Sequence, residues 1–329
     1  MRSFVTIIIL AAIIGLFTAR QQFALHTRDN GAIGTLVKLS DIAAGPLQQF
    51  VPQQAKPKPE PLPPVNEAGI LFEKKISAQS AIVVDEVTDA VLYEKNADEA
   101  RPLASISKLM SALIIVEHID DWSATTTIEA EDIGEGNQTI AVGEVYTLHD
   151  LFNAALVGSY NTAINTLVRA TGLSRTAFAG EMNQRALDLG MRKMHFAEAT
   201  GLSPENVASA RDVARLTKII LSEPRIKITT LTEHTTITDL HTHKKKIVKA
   251  TDWLVSSVVK LDIAAVEGGK TGYIPESGYN FTVELKNHEG HEIRVVVLGS
   301  KDVFSRFTET ADLATWAFQN YSWENILSE

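Results

Sequence analysis

Apolar and polar residues follow two different periods along this chain, and the switches between them mark out its elements. The stretch "SAIVVDEVTDAVLYEKN" holds two short β-branched runs around a turn and predicts a hairpin. After Pro102, "LASISKLMSALIIVEHI" sets Ile106, Leu109, Met110, Leu113, Ile114 and Val116 at helical spacing, which predicts a buried or nearly buried helix. "TLHDLFNAALVGSYNTAINTLVRATG" also reads as helix, interrupted at Gly158 and stopped at Gly172. "SRTAFAGEMNQRALDLG" and "SARDVARLTKIILSEP" predict two more helices, with serine caps and with Gly190 or Pro224 near the end. "KITTLTEHTTITD" and "KKKIVKA" look like strands. "SGYNFTVELKNHEGHEIRVVVLGS" alternates at Tyr279, Phe281, Val283 and Leu285, then at Ile293, Val295 and Val297, a second hairpin. "FSRFTETADLATWAFQNY" closes as a helix. The order predicts an α+β fold, an antiparallel sheet flanked by helices with a mostly helical subdomain. There is no internal repeat.

The N-terminus follows a different pattern. In "MRSFVTIIILAAIIGLFTAR", Arg2 precedes an apolar run from Phe4 to Phe17 broken only by Thr6 and Gly15. This is the charged-then-apolar layout of an export segment. Ala19 suits the last position before a cleavage site, but Phe17 does not suit the position two before it, so an uncleaved membrane anchor over residues 4–19 is the first reading. A cleaved signal peptide is the second. Either places the rest of the chain outside the cytoplasm. The following segment, through "VPQQAKPKPEPLPPVN", lacks periodicity and is proline-rich, an extended spacer. The expected organisation is residues 1–20 as signal or anchor, 21–68 as linker and 69–329 as one folded domain.

Composition narrows the function classes. The 329-residue chain is 45% hydrophobic and 22% charged, ordinary for a globular protein. Its net charge of −9 argues against a nucleic-acid-binding surface. The absence of cysteine excludes disulfides, thiolate metal sites and a cysteine nucleophile.

Three short stretches carry candidate chemistry. A serine hydroxyl needs a base within hydrogen-bond reach, and a lysine of lowered pKa can serve. "SISK" sets Ser105 and Lys108 three residues apart on one helix face. Both fall in its first turn, where the dipole disfavours an ammonium ion and free N–H groups suit an oxyanion. The spacing alone is weak, since Ser257 and Lys260 in "SVVK" share it. "GSYN" adds Ser159 and Asn161 at the glycine that breaks the helical pattern, a second hydroxyl to shuttle a proton and an amide to hold a carbonyl. "GGKTG" adds Lys270, a second positive charge that would help keep Lys108 neutral. Thr271 can bind a carboxylate beside it, and Gly272 lets a substrate backbone approach the strand edge. Taken singly, these stretches read as a capping serine, a polar helix junction and a turn with a solvated lysine.

In that order, Ser-x-x-Lys, Ser-x-Asn and Lys-Thr-Gly resemble the three-motif set of penicillin-binding proteins and serine β-lactamases. The chain is most similar to the low-molecular-mass D-alanyl-D-alanine carboxypeptidases and endopeptidases. "ARPLASISKLMSALIIVE" resembles their nucleophile segment, "FAEATGLSPENVASARDVARL" their Thr-Gly-Leu segment, and "GGKTGYIPESGYNF" their Lys-Thr-Gly segment. The likeness covers nearly all of residues 69–321 and implies a β-lactamase/transpeptidase-like fold. It also implies that Ser105 is acylated by the penultimate D-alanine carbonyl of a peptidoglycan stem peptide, with Lys108 as general base. Ser159 would relay the proton to the leaving amine, helped by Lys270. The N–H groups of Ser105 and Tyr273 would form the oxyanion hole, Thr271 would hold the terminal carboxylate and Asn161 the substrate amide. Water would then release the acyl group, and β-lactams would acylate Ser105 and leave slowly. No cofactor or metal is implied.

There are departures. The middle motif is Ser-Tyr-Asn where these carboxypeptidases more often have Ser-Gly-Asn, so Tyr160 would narrow the cleft. The region "VKATDWLV" lacks an arginine that assists carboxylate binding in many relatives, and Lys249 is its nearest cation. A D,D-endopeptidase acting on crosslinks therefore stays open beside the carboxypeptidase. A β-lactamase is a further rival, but Glu181 in "GEMNQRALDLG" does not fit the deacylating glutamate pattern. A silent wall-peptide-binding or scaffold protein is the rival from another class. The cluster His234, His241 and His243 reads as a solvated hairpin tip ahead of a metal site.

Overall fold

The computed structural model describes residues 61–136 and 139–323. The segments read above as export signal or anchor, and nearly all of the proline-rich spacer, lie outside the described residues. Among the described residues, no helix is long and apolar enough to cross a membrane.

The chain enters beside its own end, with Val65 and Ser322 exchanging backbone hydrogen bonds. The first hairpin follows as β1 (Ser80–Asp85) and β2 (Val91–Lys95). A short β3 (Arg101–Pro102) leads through a 3-10 turn (Ala104–Ile106) into α1 (Ser107–His118). The helical subdomain contains a small β4 (Thr125–Thr127) and β5 (Val145–Thr147) pair. It continues with α2 (Leu148–Val157), α3 (Asn161–Ala170) and α4 (Arg175–Asp188). Then come β6 (Val207–Ala208), α5 (Ala210–Leu221) and α6 (Pro224–Thr230). A hairpin of β7 (His234–Thr238) and β8 (Lys245–Lys249) precedes the long strands β9 (Ala265–Ile274), β10 (Gly278–Lys286) and β11 (Glu292–Ser300). Helix α7 (Val303–Asn320) completes the fold.

The main sheet runs β2-β1-β11-β10-β9, with every pair antiparallel, so β9 is an edge strand. Both faces of its centre are covered. Val83, Phe281, Val283, Ile293, Val295 and Val297 share a core with Phe307, Leu313 and Ala317 of α7. Ile82, Val84, Val296 and Leu298 point the other way, into the core built by α1 to α5. The alternation in "EIRVVVLGS" therefore marks one face only, and the intervening valine and leucine serve the second.

The caps follow the sequence signals: Ser174 and Ser209 accept N–H groups of α4 and α5. Gly158 divides α2 from α3, and Ser159 follows it at φ +60°. The strand expected from Lys227 onward begins only at His234. Pro224 occupies the first turn of α6, where its missing N–H costs nothing, and it starts a helix that takes Lys227–Thr230. The decoy pair Ser257 and Lys260 lies in a loop, outside any helix.

Candidate active site

Ser105 is held by three separate pieces of the fold. Strand β3 pairs with β6, and Leu103 N donates to Asn206 O at 2.8 Å. From β10, Asn280 Nδ2 donates to Pro102 O at 2.9 Å and Leu103 O at 3.0 Å, while its Oδ1 accepts from Gly299 N at 2.8 Å. Gly201 lies so close that any Cβ there would overlap the carbonyl of Ala104. Under these restraints Ala104 adopts φ +50°, a left-handed conformation unusual for alanine. The bend lifts Ser105 into a half-buried position at the N-terminal end of α1.

Lys108 is completely buried one turn on. Its Nζ lies 2.9 Å from Ser105 Oγ, 2.6 Å from Asn161 Oδ1 and 2.5 Å from Thr200 O. The Asn161 amide is oriented by its Nδ2, which donates to Glu135 O at 2.6 Å. Two of the three contacts are thus to oxygens that only accept. A neutral amine satisfies both with its two N–H bonds and aims its lone pair at the Ser105 hydroxyl. Burial pushes the Lys108 amine down to about 7, with the charge of Glu198 opposing. Burial is thus the largest cause of a shift toward which the sequence alone had only the helix dipole and the charge of Lys270 to offer.

The far wall comes from β9. Lys270, also buried, has its Nζ 3.0 Å from Ser159 Oγ and 3.0 Å from Thr271 O. Burial, then Lys108 and Arg306, hold its amine well below the ordinary lysine range, with Asp252 opposing. Thr271 Oγ1 and Thr251 Oγ1 are 2.6 Å apart. Gly272 is where the two walls meet: a Cβ there would lie 2.6 Å from Leu103 O and 3.1 Å from Ser105 N. Tyr273 is half-exposed and stacks on Tyr279 at 4.3 Å between ring centroids. The fold thus brings the candidates Ser105, Lys108, Ser159, Asn161, Lys270, Thr271, Gly272 and Tyr273 to one cleft.

Sequence reasoning missed four contributors. Arg306 on α7 is buried and reaches the carbonyl of Gly272 at 3.4 Å, so a cation stands behind β9 although "VKATDWLV" has no arginine. Its spacing to Thr310, Leu313, Ala314 and Ala317 placed it on the buried helix stripe, a signal present in the sequence. Asp252, buried near Lys270 and Arg306, has its carboxyl pushed up to about 6 by burial. Asn280 and Glu198 sit inside recognised segments but had been given no role. Lys249, by contrast, is exposed on β8 opposite His234. Glu181 pairs with His118 at 3.2 Å. His241 and His243 lie at the exposed turn between β7 and β8, and no group of three or more metal-ligating side chains occurs among the described residues.

A family model described as D-alanyl-D-alanine carboxypeptidase, peptidase S11, matches residues 67–302. A D-alanyl-D-alanine endopeptidase of Haemophilus influenzae is 32% identical over 234 residues, covering 70% of this chain and 77% of that one. Another endopeptidase, from Pseudomonas aeruginosa, is 27% identical over 256 residues, covering 77% and 81%. Penicillin-binding protein D2 of Listeria monocytogenes, solved with cefotaxime bound, superimposes with a TM-score of 0.64 at 29% identity, covering 74% and 98%.

Proposed function

Because the chain belongs to the peptidase S11 family of D-alanyl-D-alanine carboxypeptidases, penicillin-binding serine hydrolases of the cell wall, we propose that Ser105 is its nucleophile and Lys108 its general base. The observation that carries this assignment is the Lys108 amine, buried and bound to two acceptor-only oxygens with the Ser105 hydroxyl as its third partner. As Ser105 Oγ bonds to the carbonyl carbon of the penultimate D-alanine, its proton passes to Lys108 Nζ and the carbonyl π pair moves to oxygen. The N–H groups of Ser105 and Tyr273 receive that charge, at about 3 kcal/mol per donor. As the oxyanion collapses and the C–N bond breaks, Ser159, in contact with Lys270, passes its hydroxyl proton to the leaving amine and takes up in its place the proton that Lys108 holds, which returns Lys108 to its neutral form. Water then reverses the sequence on the acyl-enzyme. A β-lactam carbonyl follows the same first step, but its leaving amine stays tethered.

Arg306 behind Gly272 gives the leaving side a positive field, and Thr271 and Lys270 stand beside it to bind a terminal carboxylate, the carboxypeptidase reading. The endopeptidase names of the Haemophilus and Pseudomonas relatives favour crosslink hydrolysis as a second activity. Such a substrate lies outside the cytoplasm, which fits the export-type layout of residues 1–20, with residues 4–19 as the proposed anchor. Incubating the full chain with a D-Ala-D-Ala pentapeptide and a crosslinked muropeptide separates the readings by product mass. Loss of one alanine from the pentapeptide supports the first, and cleavage of the crosslink supports the second. Neither product would overturn the assignment.

A further inference from the structure

The turn that supplies the Thr200 carbonyl to Lys108 is organised around one carboxylate. Glu198 Oε2 accepts from Thr200 N at 2.6 Å and Thr200 Oγ1 at 2.7 Å. Its Oε1 accepts from Gly201 N at 2.6 Å, and from Ser203 N and Asn206 Nδ2 at 3.3 Å each. Asn206 ties the same turn to the nucleophile helix through Ser107 Oγ at 3.0 Å, and accepts from Ala197 N at 2.8 Å. Five donors on one acid exceed what a surface turn needs. What they fix is the carbonyl 2.5 Å from Lys108 and the glycine pressed against Ala104. Beyond the carboxylate lies a cavity of about 460 Å³, also lined by Glu135, Arg175 and Thr200.

We propose that Glu198 is the positioning residue of the general base, holding Thr200 O against Lys108 and supplying the counter-charge to the ammonium that Lys108 becomes on taking the Ser105 proton. This rests on Lys108 being that base. Two titratable groups face the amine from the elements packed around it. Glu198 on the turn raises its basicity, and Lys270 on β9 is the group whose own amine the Lys108 charge lowers. Asn161 of α3 and Ser105 contribute neutral dipoles. A stronger base takes the proton more readily in the transition state but is less often neutral beforehand, so removing the charge moves the two effects in opposite directions.

That opposition separates the proposal from a purely structural role. The measurement is the acylation rate of the full chain by a fluorescent penicillin across pH, for the wild type, Glu198→Gln and Glu198→Asp, with thermal melts alongside. For Glu198→Gln, the rise of rate with pH should shift lower by roughly half a pH unit or more while the plateau falls about tenfold. Glu198→Asp keeps the charge on a shorter stem, so its plateau should fall with the midpoint unmoved. An unmoved midpoint in Glu198→Gln, or the same shift in Glu198→Asp, overturns the role of the charge. A wild-type rate that does not rise with pH overturns instead the reading of Lys108 as base.

Discussion

The chemistry at residue scale comes down to two buried lysines that must differ in charge. Lys108 works only when neutral, and burial brings its amine to about 7. Acylation by penicillin should therefore rise with pH through about 7 and level off above it, measured as a second-order rate on the full chain. A rate flat between pH 5.5 and about 8.5 would contradict a lysine base. Lys270 is depressed by burial and by its cationic neighbours. An arriving carboxylate would restore its proton, since an opposite charge nearby favours the charged form. Lys270→Ala should therefore cut acylation by on the order of 100-fold or more while leaving the melting temperature within a few degrees. Full labelling rates in that variant would remove Lys270 from the mechanism.

At the scale of elements, the site depends on a sheet, a helical core and a turn being held in register. Asn280 is the fastener between the first two, because its amide satisfies both buried carbonyls of the segment leading to Ser105. Asn280→Ala would leave Pro102 O and Gly299 N without this partner and Leu103 O with only the Ile106 N–H, at about 2–4 kcal/mol of stability. Acylation should fall as well, because Ala104 would no longer be braced at φ +50°. Denaturant unfolding checks the first outcome and penicillin labelling the second; an unchanged unfolding midpoint would show that the fastener does not bear load. Local periodicity made most elements legible beforehand: the hairpins, α1, the division at Gly158, the serine caps and α7. Pro224 does lie just past the end of α5, but the residues from Lys227 were read as strand; Pro224 also opens α6, and only the packing of Ile226 and Thr230 decides for helix there.

Over the whole molecule, the three motifs were legible because each keeps its chemistry within a few adjacent residues. Arg306 and Asp252 were not, because the groups they face lie in segments tens of residues away. Glu198 was not either, because its hydrogen bonds are local and the lysine it acts on belongs to a distant helix. The burial of Asp252 has a measurable consequence. Asp252 is buried with its carboxyl pushed up to about 6, and its Oδ2 has no hydrogen-bond partner among the described residues. Between about pH 4 and 6 the folded state keeps a proton that the unfolded chain releases, so this group's contribution to stability falls as pH rises through that window. Asp252→Asn removes the effect. Its melting temperature relative to the wild type should be several degrees more favourable at pH 7 than at pH 4, and an offset constant with pH would show that the carboxyl does not titrate there.

Every proposed step begins with acylation of Ser105. Treating the full chain with a β-lactam and locating the adduct by peptide mass mapping tests it directly. A single adduct is expected on the peptide containing Ser105, absent in Ser105→Ala although that variant melts like the wild type. An adduct on another residue, or one that persists in Ser105→Ala, would contradict it.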